Sequence, residues 1–196
     1  MTRQHRRLQA LARLLVVASV AGAAGLLGWN TLRSGEIAFL PQRSPAEWIV
    51  YSSATEGTMH PRLELGTQFK RSFVLEGVPA RAELRIAGLH RYELLINGAA
   101  PGSPARPGRN WKQPDSYEAA GQLRAGENRI VVTVFNTNGP PALWLCLEAP
   151  GLALRSDESW QASYAGATWR AARLADQPGR IAPDSPEGQA ATRSIA

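Results

Sequence analysis

One cysteine, Cys146, stands in the 196 residues, so no disulfide can close within the chain and its core has to hold by packing alone. On a strand such a cysteine reads as a small apolar residue. Beyond the apolar N-terminal segment there are only two histidines, His60 and His90, with no HExxH spacing and no cysteine partner, which excludes the usual zinc arrangements. No GxSxG frames Ser52 or Ser53, and no glycine-rich phosphate loop occurs. After residue 30 no sustained apolar stripe at helical spacing is present, and no internal repeat.

Acidic residues are also missing from the start of the chain, where the first is Glu36. Arg3, Arg6, Arg7 and Arg13 therefore leave that end with an uncompensated positive charge, while the rest carries 18 basic against 16 acidic residues. So even a mixture forms no basic face for phosphates, which argues against a nucleic-acid partner despite a pI of about 10.2. The basic end has a membrane explanation. Residues 14–29 carry no charge, and residues 8–29 span about 33 Å as a helix, close to the hydrocarbon thickness of a bilayer. Arg13 lies near the cytoplasmic end, where its side chain snorkels to headgroups, and Trp29 suits the far interface. Residues 1–7 thus read as a cytoplasmic basic n-region and 8–29 as a transmembrane signal anchor in the inner (cytoplasmic) membrane, with the remainder periplasmic or extracellular. The small residues Ala21, Gly22 and Ala23 keep a cleaved signal peptide as the rival reading.

Residues 30–46 read as a tether. Then come "EWIVYSS", "TQFKRSFVLEG", "ARAELRIAG", "RYELLING", "NRIVVTVFN" and "ALWLCLEA", short runs rich in β-branched or aromatic residues and bounded by Gly, Pro or Asn. In "ARAELRI", Ala82, Leu84 and Ile86 alternate with Arg81, Glu83 and Arg85, and Leu143, Leu145 and Leu147 alternate with Trp144, Cys146 and Glu148, as in half-buried antiparallel strands. Asn138-Gly139 and two prolines mark a turn, and the segments that flank it are expected to pair. The fold class is all-β, an antiparallel sandwich over residues 47–172 preceded by one helix, and residues 173–196 form a polar, proline-bearing tail or linker. Asn97-Gly98 is a strong two-residue hairpin signal, yet it is followed by "AAPGSPARPGRNWKQPDSYEAA", a long connection with no strand pattern.

The order "FKRSFVL", "AELRIAGLHRYELLINGAAPG", the long polar loop, "LRAGENRIVVTVFN" and "PALWLCLE" resembles the galactose-binding-like jelly-roll module, a sugar-binding domain found on the N-terminal side of the catalytic domain in bacterial α-L-rhamnosidases and family 2 glycoside hydrolases. "SDESWQAS" and "TWRAA" are similar to the module's end in the rhamnosidase group. The resemblance implies that the excursion after "ING" runs over an edge of the sandwich where sugars sit in members that bind them. Asn110, Trp111, Lys112, Asp115 and Tyr117 are then the candidate ligand-binding residues. An aromatic ring of Trp111 or Tyr117 would face the C–H side of a pyranose while Asn110, Lys112 and Asp115 pair its hydroxyls. Competing structural roles stay open: Trp111 as a plug at the sandwich end, Tyr117 as a loop anchor, Asp115 as a turn residue. Trp144 is offered a cover by the segment around Trp160, and Trp160 and Trp169 are expected to pack the closing strands.

Glycoside hydrolysis takes two carboxylates flanking the bond, and neither Asp115 with Glu118 nor the adjacent Asp157 and Glu158 stands out; the catalytic barrel that accompanies the module is missing. No catalytic group, metal ligand or cofactor is therefore expected, although some members of the family hold a structural calcium ion. The expectation is a noncatalytic, membrane-anchored carbohydrate-binding module of the cell envelope whose partner is a carbohydrate. The alternatives are a structural or protein-interaction sandwich docking on an envelope protein of a polysaccharide-related complex, and an accessory fragment of a glycoside hydrolase.

Overall fold

The computed structural model describes residues 3–37, 40–51, 65–137 and 140–175. It divides into two units, Met1–Pro41 and Gln42–Ala196. In the first, helix α1 (Arg3–Arg33) runs for 31 residues, about 46 Å at roughly 1.5 Å per residue. Its stretch Leu11–Arg33 is long and apolar enough to cross a membrane by length and composition. Leu14, Leu15, Val16 and Val17 are consecutive and all exposed, so apolar surface surrounds the helix instead of forming one stripe. At its C-terminal end the Arg33 guanidinium sits 3.7 Å from the centre of the Trp29 ring, and a cation there faces the negative end of the helix dipole.

The second unit is built from β1 (Ile49–Val50), β2 (Leu65–Leu75), β3 (Glu83–Gly88), β4 (Arg91–Ile96), β5 (Asp115–Glu118), β6 (Gly126–Asn136), β7 (Ala142–Ala149), β8 (Leu152–Arg155), β9 (Gln161–Tyr164), β10 (Thr168–Ala171) and β11 (Arg173–Leu174). They form two antiparallel sheets. Sheet A has the order β11-β1-β7-β3-β5, with β8 also on β7, and sheet B the order β10-β9-β2-β6-β4. The expected alternation is what lets the sheets meet. Leu84, Ile86, Leu143, Leu145 and Leu147 from sheet A face Phe69, Leu94, Ile96, Ile130, Val132 and Val134 from sheet B in one buried cluster. Burying an aliphatic side chain contributes about 1.5–3 kcal/mol, which is how a chain without a disulfide holds this sandwich closed.

Three expectations are corrected. First, the segments on either side of Asn138-Gly139 do not pair: β6 lies in sheet B against β2 and β4, while β7 lies in sheet A against β1, β3 and β8. The prolines lack the N–H that a ladder needs, so the connection crosses between the sheets instead of folding into a hairpin; Asn138 and Gly139 themselves lie outside the described residues. Second, the long polar connection contains a strand, since β5 pairs with β3 from Glu83↔Glu118 to Ile86↔Asp115. Third, Trp144 is on the outward register, but its cover is not the Trp160 segment. The Trp144 Nε1–H donates to the carbonyls of Arg43 (2.9 Å) and Ala46 (3.0 Å), which lays the chain before β1 across the outer face of sheet A. Trp160 is buried between the sheets and donates to the Arg155 carbonyl at 2.7 Å.

Sheet A extends past residue 172 through β11, and Glu47 is already tied into the fold. Glu47 N–H donates to Ser156 O at 3.0 Å, the Ser156 hydroxyl donates to Glu47 O and accepts from Leu145 N–H at 3.0 Å, and Ala175 N–H donates to Trp48 O at 2.7 Å. Residues 176–196 of the expected tail, together with Ser52, Ser53 and His60, lie outside the described residues.

The Asn97-Gly98 turn forms as its residue types dictate. Both adopt positive φ (52° and 83°), and Ile96 and Ala99 exchange N–H···O bonds of 2.9 and 3.0 Å. The chain does not continue into a second hairpin strand, since Pro101, Pro104 and Pro107 lack the N–H a ladder needs, and the Asn97 side chain is used across the sheet end. Its Oδ1 accepts from Arg129 N–H (2.9 Å), and its Nδ2 donates to Gln122 O (2.7 Å) and to Oδ1 of the buried Asn128 (2.8 Å). Asn128 in turn binds the backbone of Arg124 and Gly126. The two motifs "ING" and "RAGEN" are thus one hydrogen-bonded joint.

Candidate ligand groove

The loop of residues 99–114 folds back on the sandwich, and this decides the fate of the five candidate residues. Trp111 is only 9% exposed, set edge-on against Trp48 (centroids 6.4 Å apart) and beside His90 (5.9 Å). Lys112 is buried with its ammonium 5.2 Å from the Trp111 ring, and burial holds its pKa below the usual lysine value; its carbonyl accepts from Arg43 at 2.7 Å. Asn110 makes a turn, its Oδ1 accepting from Lys112 N–H at 3.1 Å. Asp115 is directed between the sheets, where Oδ1 accepts from Gly108 N–H (2.7 Å) and Oδ2 from the Tyr92 hydroxyl. The Tyr92 hydroxyl also lies 3.0 Å from that of Tyr117, and burial, then the bond to Asp115, pushes its pKa well up. Gly108 is required here: a Cβ would lie 2.0 Å from the Gln113 carbonyl oxygen. Trp111 and Lys112 thus meet on one side of sheet A and Asp115 and Tyr117 on the other, so the five do not converge on one open site.

An open groove of about 490 Å³ lies instead on sheet A, lined by Arg81, Glu83, Arg106, Ser116, Glu118 and Glu148 among others, with Tyr117 the one candidate residue in its wall. Its floor is set by register. Glu83 on β3 pairs with Glu118 on β5 and with Glu148 on β7, so three carboxylates stand in a row on one face, with neighbouring Cβ atoms about 4.5–5.5 Å apart. Ser116, Arg85 and Cys146 form the next row. Like charges directly opposite one another destabilise a sheet, and each is compensated. Glu83 Oε1 accepts from the Ser116 hydroxyl (2.8 Å) and from Arg106 (2.5 Å). Glu118 Oε1 accepts from the backbone N–H groups of Ala82 (2.9 Å) and Ala120 (3.2 Å). Glu148 Oε1 lies 3.6 Å from Arg85 and accepts from the Cys146 thiol at 3.5 Å. The Ser116 bond is the main reason that the Glu83 pKa is held below the carboxylate range, and the bond from Ala82 does the same for Glu118. Burial, then the Glu148 charge, pushes the Cys146 thiol up, so it stays protonated.

One oxygen of each glutamate is thereby fixed by the protein, while the other, Oε2, has no partner among the described residues. Such a row, the Arg81 guanidinium and the small apolar surfaces of Ala105, Ala149 and Pro150 can pair hydroxyls and touch C–H groups. Sequence reasoning passed over Glu83 and Glu148 because outward alternation reads as solvent exposure. Cross-strand adjacency, the property that matters, depends on partners in distant parts of the chain.

No protein-family model matches the chain, and no curated protein matches it. Solved structures do. The chain is similar to an α-L-rhamnosidase from Dictyoglumus thermophilum (25% identity, TM-score 0.52, covering 68% of this chain and 21% of that one) and to a family 78 rhamnosidase from Bacillus sp. GL1 (24%, 0.54, 72% and 19%). It is also similar to a lectin from Pleurotus ostreatus (20%, 0.50, 73% and 46%). The chain thus spans about a fifth of the length of the rhamnosidases. Its sandwich has the galactose-binding-like jelly-roll fold, as the strand order in the sequence suggested.

Proposed function

We propose that this chain is a noncatalytic carbohydrate-binding module of the bacterial cell envelope, tethered by α1 in the inner membrane with its N-terminus cytoplasmic and the sandwich on the periplasmic or extracellular side. The observation that carries this reading is the groove, a polar floor whose carboxylates are each held by one oxygen and free at the other. Preoriented acceptors of this kind suit sugar hydroxyls, because little side-chain freedom is lost when the ligand arrives. The fold shared with rhamnosidase chains and a lectin supports the same class. The positive charge at the N-terminal end of α1 supports its orientation.

The test is a glycan array and then titration, using the full chain in lipid nanodiscs. Neutral saccharides are expected to bind, and Glu83→Gln combined with Glu148→Gln to weaken them about tenfold, as for loss of charge-assisted hydrogen bonds of roughly 1.4 kcal/mol in total. A chain that retains no sugar, or a double variant that binds as well as the parent, would end this reading.

A second reading, an interaction sandwich docking on an envelope protein, is favoured by the outer face of sheet B, where Leu95 stands opposite Val131 and Val74 is 73% exposed. The match to only a fifth of each rhamnosidase keeps the third, an accessory fragment of a glycoside hydrolase.

A further inference from the structure

The three glutamates of the groove are restrained in different ways. Glu118 is held by backbone N–H groups, and Glu148 by Arg85 and Cys146 on the next row. Glu83, in the middle, is held at Oε1 by two side chains of opposite character. The Ser116 hydroxyl belongs to a buried residue of β5, whereas the Arg106 side chain is 75% exposed and reaches in from the loop. Arg106 has a fixed backbone all the same, since it exchanges N–H···O bonds of 3.1 and 2.9 Å with Ser116. Its guanidinium can therefore leave Glu83 by side-chain rotation with the loop in place, and Ser116 keeps the carboxylate oriented after it has gone.

We propose, on the footing of the carbohydrate-binding reading, that Arg106 is the specificity-determining arm of the groove: its guanidinium occupies the Glu83 acceptor that a saccharide hydroxyl takes, and the ligand binds by displacing it. This mechanism selects a ligand class. A neutral saccharide with adjacent hydroxyls replaces the lost donor on Glu83 and reaches the free Oε2 atoms of the flanking glutamates. An anionic group placed at Glu83 meets the neighbouring carboxylates and has no hydrogen to donate in place of the guanidinium. Exchange is feasible because an exposed ion pair is weak, at most about a fivefold effect on an equilibrium, and salt screens it further.

The closing experiment uses the full chain in nanodiscs with L-rhamnose and D-galactose as probes, titrated by calorimetry and ligand-observed NMR. Arg106→Ala is expected to bind about two- to fivefold more tightly than the parent at low salt. The parent is expected to tighten as salt rises from about 20 mM to about 500 mM, closing the gap, which is the opposite of an ordinary charge-assisted site. Arg106→Gln, which keeps bulk and drops charge, should behave like Arg106→Ala. Sugar that binds equally or more weakly to Arg106→Ala overturns the displacement while leaving the module reading intact; failure of every form to bind either sugar overturns the groove reading and this inference with it. The side-chain carboxyl ¹³C signal of Glu83 gives a ligand-free check. It should titrate at higher pH in Arg106→Ala, and an unmoved midpoint would also overturn the proposal.

Discussion

Trp111→Ala separates the two roles that the sequence left open for this ring. In the structure Trp111 is 9% exposed, edge-on to Trp48, beside His90 and close to the Lys112 ammonium, so truncation removes a buried aromatic from a packed cover. Core tryptophan-to-alanine changes cost about 3–5 kcal/mol. A loop position that can partly collapse belongs at the lower end, and loss of the cation–π contact adds roughly 0.5–1 kcal/mol, so about 3–4 kcal/mol is expected. At about 2–4 °C per kcal/mol for a domain of this size, the Tm should drop by roughly 6–16 °C. The measurement is thermal unfolding by near-ultraviolet circular dichroism, with sugar titration below the transition, where affinity should stay within about twofold of the parent because Trp111 lies outside the groove wall. A variant whose Tm is unchanged and whose sugar binding is abolished would show that the ring meets ligand, and the packing argument would fall.

The hydrogen-bond geometry leads to two further outcomes. Asn97→Ala and Asn128→Ala should each lower stability by about 1–3 kcal/mol in urea unfolding, with the double variant costing clearly less than the sum because either single variant already removes the bond between them; strict additivity would refute the joint between the two motifs. For Glu83 and Glu118 the native pKa values are depressed, Glu83 first by the Ser116 hydroxyl and Glu118 by the Ala82 N–H, so their stabilisation is complete at neutral pH and is lost as pH falls through the native values. The urea midpoint should therefore decline on acidification from about pH 5 to about pH 3, and Glu83→Gln should flatten part of that slope; parallel slopes in parent and variant would contradict the assignment.

Much of the framework was legible because it rests on local rules. The alternation in "ARAELRI" and "ALWLCLE" marks the inner faces of β3 and β7, and Asn97-Gly98 marks a turn that forms with both residues at positive φ. The candidate loop residues were harder. Trp111, Lys112, Asp115 and Tyr117 carry the chemistry of a sugar site, and nothing local distinguishes an exposed tryptophan in a polar loop from one that seals a face. Strand β5 was hidden for a related reason, since its four residues contain Asp115 and Ser116, poor strand formers that are held in place by β3 and Arg106.

By itself the sequence determined an apolar N-terminal helix, a run of antiparallel strands with their inward faces, and a core that no disulfide supports. Charge, hydrophobic period and turn chemistry settle these within a few residues of each position. Only the tertiary structure decided that β6 and β7 belong to different sheets, that the chain before β1 covers Trp144, and that Glu83, Glu118 and Glu148 stand in one row. Strand register joins residues far apart in the chain, and a side chain's use depends on the neighbours that the other strand sets beside it.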